Sequence, residues 1–220
     1  SQVEHYKDRL DLQQYPGETF WKEILNKYKD DSGHVSSESS GEIANLRRDV
    51  VTNHLGIEAE KVVFMDHSSS HAAYGYYTSN EYRNKEDALV ITLDAFGDNI
   101  NYSASIFRED GSKEIVVKGG SFIIGRLYRY VTLILGLRPN EHEYKVMGMA
   151  PYCKDKYSES VFNLFKSYQD VNGINFEYKN KPKDMYFEIK NSLEGERFDS
   201  ICGGVQRYTE YIVEKWVKNL

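Results

Sequence analysis

Two histidines and an aspartate are the residues of this chain best placed to do chemistry. His67 and His71 stand four apart in DHSSSHAAYGYY, so on a helix both imidazoles leave the same face. Asp94 closes the apolar run Ala88–Leu93, with Gly97 and Asp98 just behind it. Strand ends in α/β sheets are where sites are built. Two imidazoles and a carboxylate meeting there can hold a divalent metal and leave coordination positions open for a substrate. The same spacing also suits two histidines that pack against neighbours or cap a helix, and residue types alone leave both readings open. The glutamate of a hydrolytic H-E-x-x-H motif is missing, which argues against a zinc protease.

Several elements must position these groups. The apolar run Val62–Met65 is expected to form a short buried strand that delivers Asp66 and His67, with Ser68–Ser70 opening a helix. After the strand Ala88–Leu93 comes a hairpin: Tyr102–Phe107 alternates, Asp110-Gly111 turns, Lys113–Lys118 returns, and Gly119-Gly120 end it. Ser121–Leu137 is apolar but carries Arg126 and Arg129, so a buried helix is predicted, with Gly136 near its end and Pro139 beyond. In NEHEYKVMGMAPY, Glu141, Glu143 and Lys145 read as a solvated turn, while Gly148 and Ala150 would admit a close backbone or ligand. This order of strand, hairpin and helix predicts a mixed α/β sheet flanked by helices.

Upstream, Glu18–Lys29 has helical spacing, residues 32–41 read as a loop with a solvated His34, and Glu42–Leu55 reads as an amphipathic helix stopped by Gly56. Its apolar side is Ile43, Leu46, Val50 and Leu55. Downstream, Lys156–Tyr168 is helical. Asn172–Arg197 reads as a polar surface excursion with weak strand signals at 174–178 and 185–189. From Phe198 to Leu220 a long amphipathic helix runs through Gly203-Gly204, a pair that implies tight packing. The chain holds no internal repeat and no Walker-type phosphate loop.

Composition narrows the class. A chain of 220 residues, 40% hydrophobic with 18 tyrosines and 10 phenylalanines, can bury a sizeable aromatic core. The net charge of −6 gives no reason to expect nucleic-acid binding. No apolar run approaches a membrane span, and nothing near Ser1 resembles a signal peptide. Two cysteines, Cys153 and Cys202, do not make a disulfide framework, so a cytoplasmic protein is expected.

Three blocks, DHSSSHAAYGYY, VITLDAFGD and GRLYRYVTLILGLRPNEHEYKVMGMAPY, are together similar to the O-carbamoyltransferases of the nodulation-factor and antibiotic-tailoring type. The resemblance implies an actin-like ATPase (RNase H-like) domain, related to the tRNA threonylcarbamoyladenosine transferases and followed in the family by a YrdC-like domain. By that likeness the chain is expected to be an internal piece of the actin-like domain, incomplete at both ends. Residues 1–41 would be a variable lead-in, 42–152 the core with the site motifs, 153–197 a helix and surface excursion, and 198–220 a long helix. The piece by itself is expected to be inactive, without the YrdC-like domain.

The resemblance further implies carbamoyl transfer from carbamoyl-adenylate, made from carbamoyl phosphate and ATP, to a hydroxyl of a sugar or natural product. It assigns His67, His71 and Asp94 to a divalent metal, iron first, with zinc or magnesium as alternatives. The family's doubled histidine is not kept, since Ser68 follows His67. Glu143 and Lys145 match the family's Glu-Tyr-Lys signature and are assigned catalytic roles, Lys145 near phosphate or the carbamoyl donor. Asp98 is assigned to cofactor binding, and Asp66 or Asp98 to holding the imidazole tautomers. A homodimer is compatible with this reading. The rival classes are an actin-like sugar kinase or ATPase using Asp94 or Asp98 near magnesium, and a non-catalytic nucleotide-binding module.

Overall fold

The computed structural model describes residues 37–220. The chain divides into two compact units, Ser1–Phe64 and Met65–Leu220. The helix expected at Glu18–Lys29 and the solvated His34 lie outside the described residues.

In the first unit, α1 (Ser37–Leu55) starts within the stretch read as a loop. Serine-rich sequence suits a helix start as well as a turn. The helix ends at Gly56, whose φ of +65° lets its own N–H and that of Ile57 reach the Thr52 carbonyl at 2.8 and 3.3 Å. Val50 and Leu55, placed on the apolar side, are exposed. A 3-10 turn, Ala59–Lys61, follows. The strand expected at Val62–Met65 does not form: these residues join no ladder, and Val63 is 83% exposed. An apolar run becomes a strand only where a neighbour takes up its backbone groups, and none does so here among the described residues.

The second unit begins with α2 (His67–Tyr77) and α3 (Asn80–Asn84). The strands β1 (Ala88–Gly97), β2 (Ile100–Phe107) and β3 (Lys113–Gly119) follow. They form one sheet in the order β1-β2-β3, antiparallel throughout. The mixed sheet expected from the sequence is therefore corrected for the described residues, and short connections are the reason. Asp98 and Asn99, at φ +51° and +63°, make a two-residue hairpin turn, and Gly111 at φ +84° helps to close the second. Parallel pairing would need a long crossover in each place. Strand β2 does not alternate between buried and exposed: Asn101–Ser105 are all buried, because the middle strand is covered on both faces. Helix α2 packs Ala72 and Tyr76 against Phe107, with Ala88 and Val90 beside them.

Beyond the sheet come α4 (Ile124–Ile134), α5 (Glu143–Met149), a 3-10 turn Ala150–Tyr152, and α6 (Asp155–Tyr168). The hairpin β4 (Gln169–Asn172) and β5 (Asn175–Tyr178), then α7 (Met185–Ser192) and α8 (Phe198–Asn219), complete the unit. The strand signal at 185–189 is corrected to helix, because Asp184 caps it by accepting from the N–H groups of Tyr186 and Phe187. Nor is 172–197 a mere surface excursion: Phe176, Tyr186, Ile189 and Leu193 are buried. Gly148 faces open space, so no close approach is made there.

Helix α8 is the spine of this part. Tyr208, Ile212 and Trp216 are fully buried along it, and the Tyr208 hydroxyl and Trp216 indole N–H donate to the carbonyls of Gln169 and Ile174, both at 2.9 Å. The glycine pair lets it approach α6. A Cβ on Gly204 would overlap Val161 and stand 3.1 Å from the Phe162 nitrogen, and one on Gly203 would stand 2.8 Å from Cys153 Cβ. Asp170 ties hairpin to helix, accepting from Lys179 at 2.7 Å and Lys215 at 2.8 Å. Its partial burial favours the neutral acid. The two ammonium groups and the Val171 N–H outweigh that and hold the carboxyl well below the usual carboxylate range.

Gly204→Ala is expected to destabilise the fold by about 1–3 kcal/mol in urea denaturation, because the Cβ of Val161, a β-branched side chain that is stiff close to its backbone, stands in the way with the Phe162 nitrogen behind it. Asp170 has a depressed native pKa, so its stabilisation is complete above the unfolded value of about 4 and fades as pH falls towards the native one. Asp170→Asn should accordingly cost about 1–2 kcal/mol at pH 7, since its lysine partners are partly solvated. That gap should narrow at pH 3; an equal gap at both pH values would contradict the ion-pair account.

Candidate metal centre

The first turn of α2 is fixed by two carboxylates. Asp66 is the N-cap and accepts from the Ser69 N–H at 2.8 Å. Hydrogen bonds from Ser69 hold it below the ordinary carboxylate range. Asp98, from the β1–β2 turn, accepts the His67 backbone N–H at 2.8 Å. A helix start leaves its first N–H groups without intrahelical partners and carries positive dipole charge, so both contacts are favourable. They also correct an expectation. Asp66 and Asp98 hold the backbone of the helix start rather than an imidazole nitrogen, because the helix start claims them first.

From that turn His67 and His71 project side by side, with Nε2 atoms 3.0 Å apart and rings edge-on at 87°. Asp94 reaches them from β1. Its Oδ2 contacts His67 Nε2 and lies 3.5 Å from His71 Nε2, while Oδ1 accepts from the Ala95 N–H at 2.6 Å. The ladder between β1 and β2 breaks between Leu93 and Gly97, and such bulges turn a side chain out of the regular pleat. Partial burial favours the neutral form of Asp94. The His67 hydrogen bond, the Ala95 N–H and the charge of both imidazoles outweigh it and lower the pKa.

The three residues suit a metal. One donor atom from each lies within 4.8 Å of the others. Nitrogen and oxygen donors bound at about 2.1 Å to one ion stand about 3–3.5 Å from each other, close to the 3.0 Å between the two Nε2 atoms and the 3.5 Å from His71 Nε2 to Asp94 Oδ2. Side-chain exposures of 46%, 55% and 36% for His67, His71 and Asp94 leave one side open to a further ligand. A cavity of about 290 Å³ adjoins them, lined also by Ser68, Ile91, Thr92, Leu93, Ile100 and Asn101.

Two glycines, Gly97 behind Asp94 and Gly125 in α4, build this site. A Cβ on Gly97 would lie on the His67 ring, and one on Gly125, in α4, would stand 2.5 Å from Ala95 Cα in the bulge. The only sequence signal for Gly97 is its place between Asp94 and Asp98 in the strand-end motif. Glu143 and Lys145 are not brought to the histidines. Glu143 accepts from the Asn140 N–H at 2.6 Å at the start of α5, Lys145 lies over the Tyr144 ring, and neither lines the cavity.

A family model described as carbamoyltransferase N-terminus matches residues 14–215. An uncharacterised protein of Methanocaldococcus jannaschii is 30% identical over 142 residues, 61% of this chain and 27% of that protein. An uncharacterised Synechocystis protein is 29% identical over 172 residues, 69% of this chain and 26% of its own. The nodulation protein NolNO of Sinorhizobium fredii is 26% identical over 161 residues, 72% of this chain and 23% of that protein. The chain thus spans about a quarter of the length of these relatives.

Gly97→Ala should keep the far-UV circular dichroism of the parent while displacing the His67 ring. Zinc affinity, measured by competition with a chromogenic chelator, is expected to fall about tenfold or more; unchanged affinity would remove Gly97 from the site.

Proposed function

We propose that this chain, which belongs to the carbamoyltransferase N-terminal family, carries the metal-assisted transfer site for O-carbamoylation. The donor is carbamoyl-adenylate, formed from carbamoyl phosphate and ATP, and the acceptor is a hydroxyl of a sugar or other small natural product. In this reading the described sheet and helices are part of an actin-like, RNase H-like domain, and the activity belongs to the whole protein. The observation that carries the reading is the convergence of His67, His71 and Asp94 from two separate elements onto one point beside a cavity.

Two imidazoles and one carboxylate favour iron or zinc over magnesium, which prefers oxygen ligands. When bound, such an ion supplies Lewis acidity where negative charge grows on the carbamoyl oxygen. His67 and His71 would each offer the lone pair of Nε2 to the ion, and the Asp94 carboxylate would balance part of its charge. Ile91, Leu93 and Ile100 give the cavity an apolar lining, and the Ser68 and Thr92 hydroxyls a polar one. Lys145 is assigned to the phosphate of the donor as a point charge, and Glu143 to orienting the start of the helix that carries it.

In a complete enzyme, His67→Ala or His71→Ala should reduce carbamoyl transfer at least a hundredfold and lower bound iron or zinc, while carbamoyl-adenylate formation from carbamoyl phosphate and ATP persists. Normal transfer by either variant would exclude the metal reading. Lys145→Met is expected to raise the KM for the donor with metal content unchanged.

A further inference from the structure

Beneath the metal-binding group lies a closed ring of three hydroxyls. Ser68 Oγ is 2.9 Å from Thr92 Oγ1 and 2.9 Å from Ser103 Oγ, and Thr92 Oγ1 is 2.7 Å from Ser103 Oγ. Each comes from a different element: Ser68 from α2, Thr92 from β1 and Ser103 from β2, the latter two directly opposite in the ladder. Ser68 and Ser103 are buried. Three hydroxyls bring three protons to three O···O contacts, so donation around the ring satisfies each of them, and such chains reinforce one another.

Position gives the ring its meaning. Ser68 follows His67 and shares its helix with His71, while Thr92 stands two residues before Asp94. The ring therefore joins the element carrying both imidazoles to the strand carrying the carboxylate, directly beside the cavity they share. We propose that Ser68, Thr92 and Ser103 are positioning residues that set the separation between the histidine pair and Asp94, and so tune the grip on the metal. The proposal rests on the metal reading above.

Thr92 allows a clean separation of position from stability. Thr92→Val keeps the shape of the side chain and removes its hydroxyl, and Ser68 and Ser103 remain bonded to each other, so no buried hydroxyl is orphaned. Thr92→Ser keeps the hydroxyl and removes the methyl. A polar staple that merely holds the fold would lower the Tm of Thr92→Val and leave the metal unaffected. A positioning ring does the reverse.

The test is Co2+ titration of the chain, read by visible absorption, together with Tm. Thr92→Val is expected to bind Co2+ about tenfold more weakly with a shifted spectrum and a near-parental Tm, and Thr92→Ser to recover parental affinity and spectrum. Parental affinity and spectrum in Thr92→Val, or the same loss in Thr92→Ser, overturns the proposal. Should Thr92→Val fail to fold, Ser103→Ala carries the same readouts, since it leaves Ser68 and Thr92 bonded. If the parent takes up no Co2+, the metal reading itself fails. The ring's role is then read from the imidazole NMR resonances of His67 and His71, which Thr92→Val must move and Thr92→Ser must not.

Discussion

The seating of one helix start on one strand turn governs the site. The His67 N–H has no partner within α2, and the carboxylate of Asp98 supplies one from the β1–β2 turn. That bond sets where the histidines begin, and the ring of His67 then rests where Gly97 has no side chain. The two constraints come from neighbouring residues of a single turn, and both act on the same histidine. A turn with φ positive at Asp98 and Asn99 is itself a costly conformation for side chains other than glycine; asparagine and aspartate adopt it most readily.

Around this seat the second unit separates a firm scaffold from an open rim. The scaffold is the α6–α8 contact through Gly203 and Gly204, the buried Tyr208, Ile212 and Trp216, and the β4–β5 hairpin held by Asp170. The rim is solvent-facing, with His67 and His71 both exposed. The proposed metal role would draw on both, because donors must be held by packed neighbours while a face stays open. Gly125 of α4, set close against the bulge at Ala95, links scaffold to rim.

Periodicity alone located much of the architecture. The hairpin at Asp110-Gly111, the apolar helix ended near Gly136 and the long terminal helix with its glycine pair all follow from spacing and turn chemistry, and the structure has them. Sequence pattern and structure differ where local preference is weak. Residues 62–65 have strand composition but no partner, 185–189 carry mixed signals that the Asp184 cap resolves as helix, and Phe176 looked superficial because its burial depends on Trp216, forty residues on.

For the site, sequence determined which residues could act: an i, i+4 histidine pair and a strand-end aspartate, whose side-chain directions follow from helix and strand geometry. It also supplied the three blocks that carry the family likeness. Tertiary structure decided that His71 and Asp94 lie 3.5 Å apart, and that Asp66 and Asp98 hold the helix start. It also assembled the hydroxyls of residues 68, 92 and 103 into a ring. The Asp66 cap is local, but the meetings of His71 with Asp94, of Asp98 with His67, and of Ser68 with Thr92 and Ser103 each join segments more than twenty residues apart, and only packing between α2 and the sheet fixes how they meet.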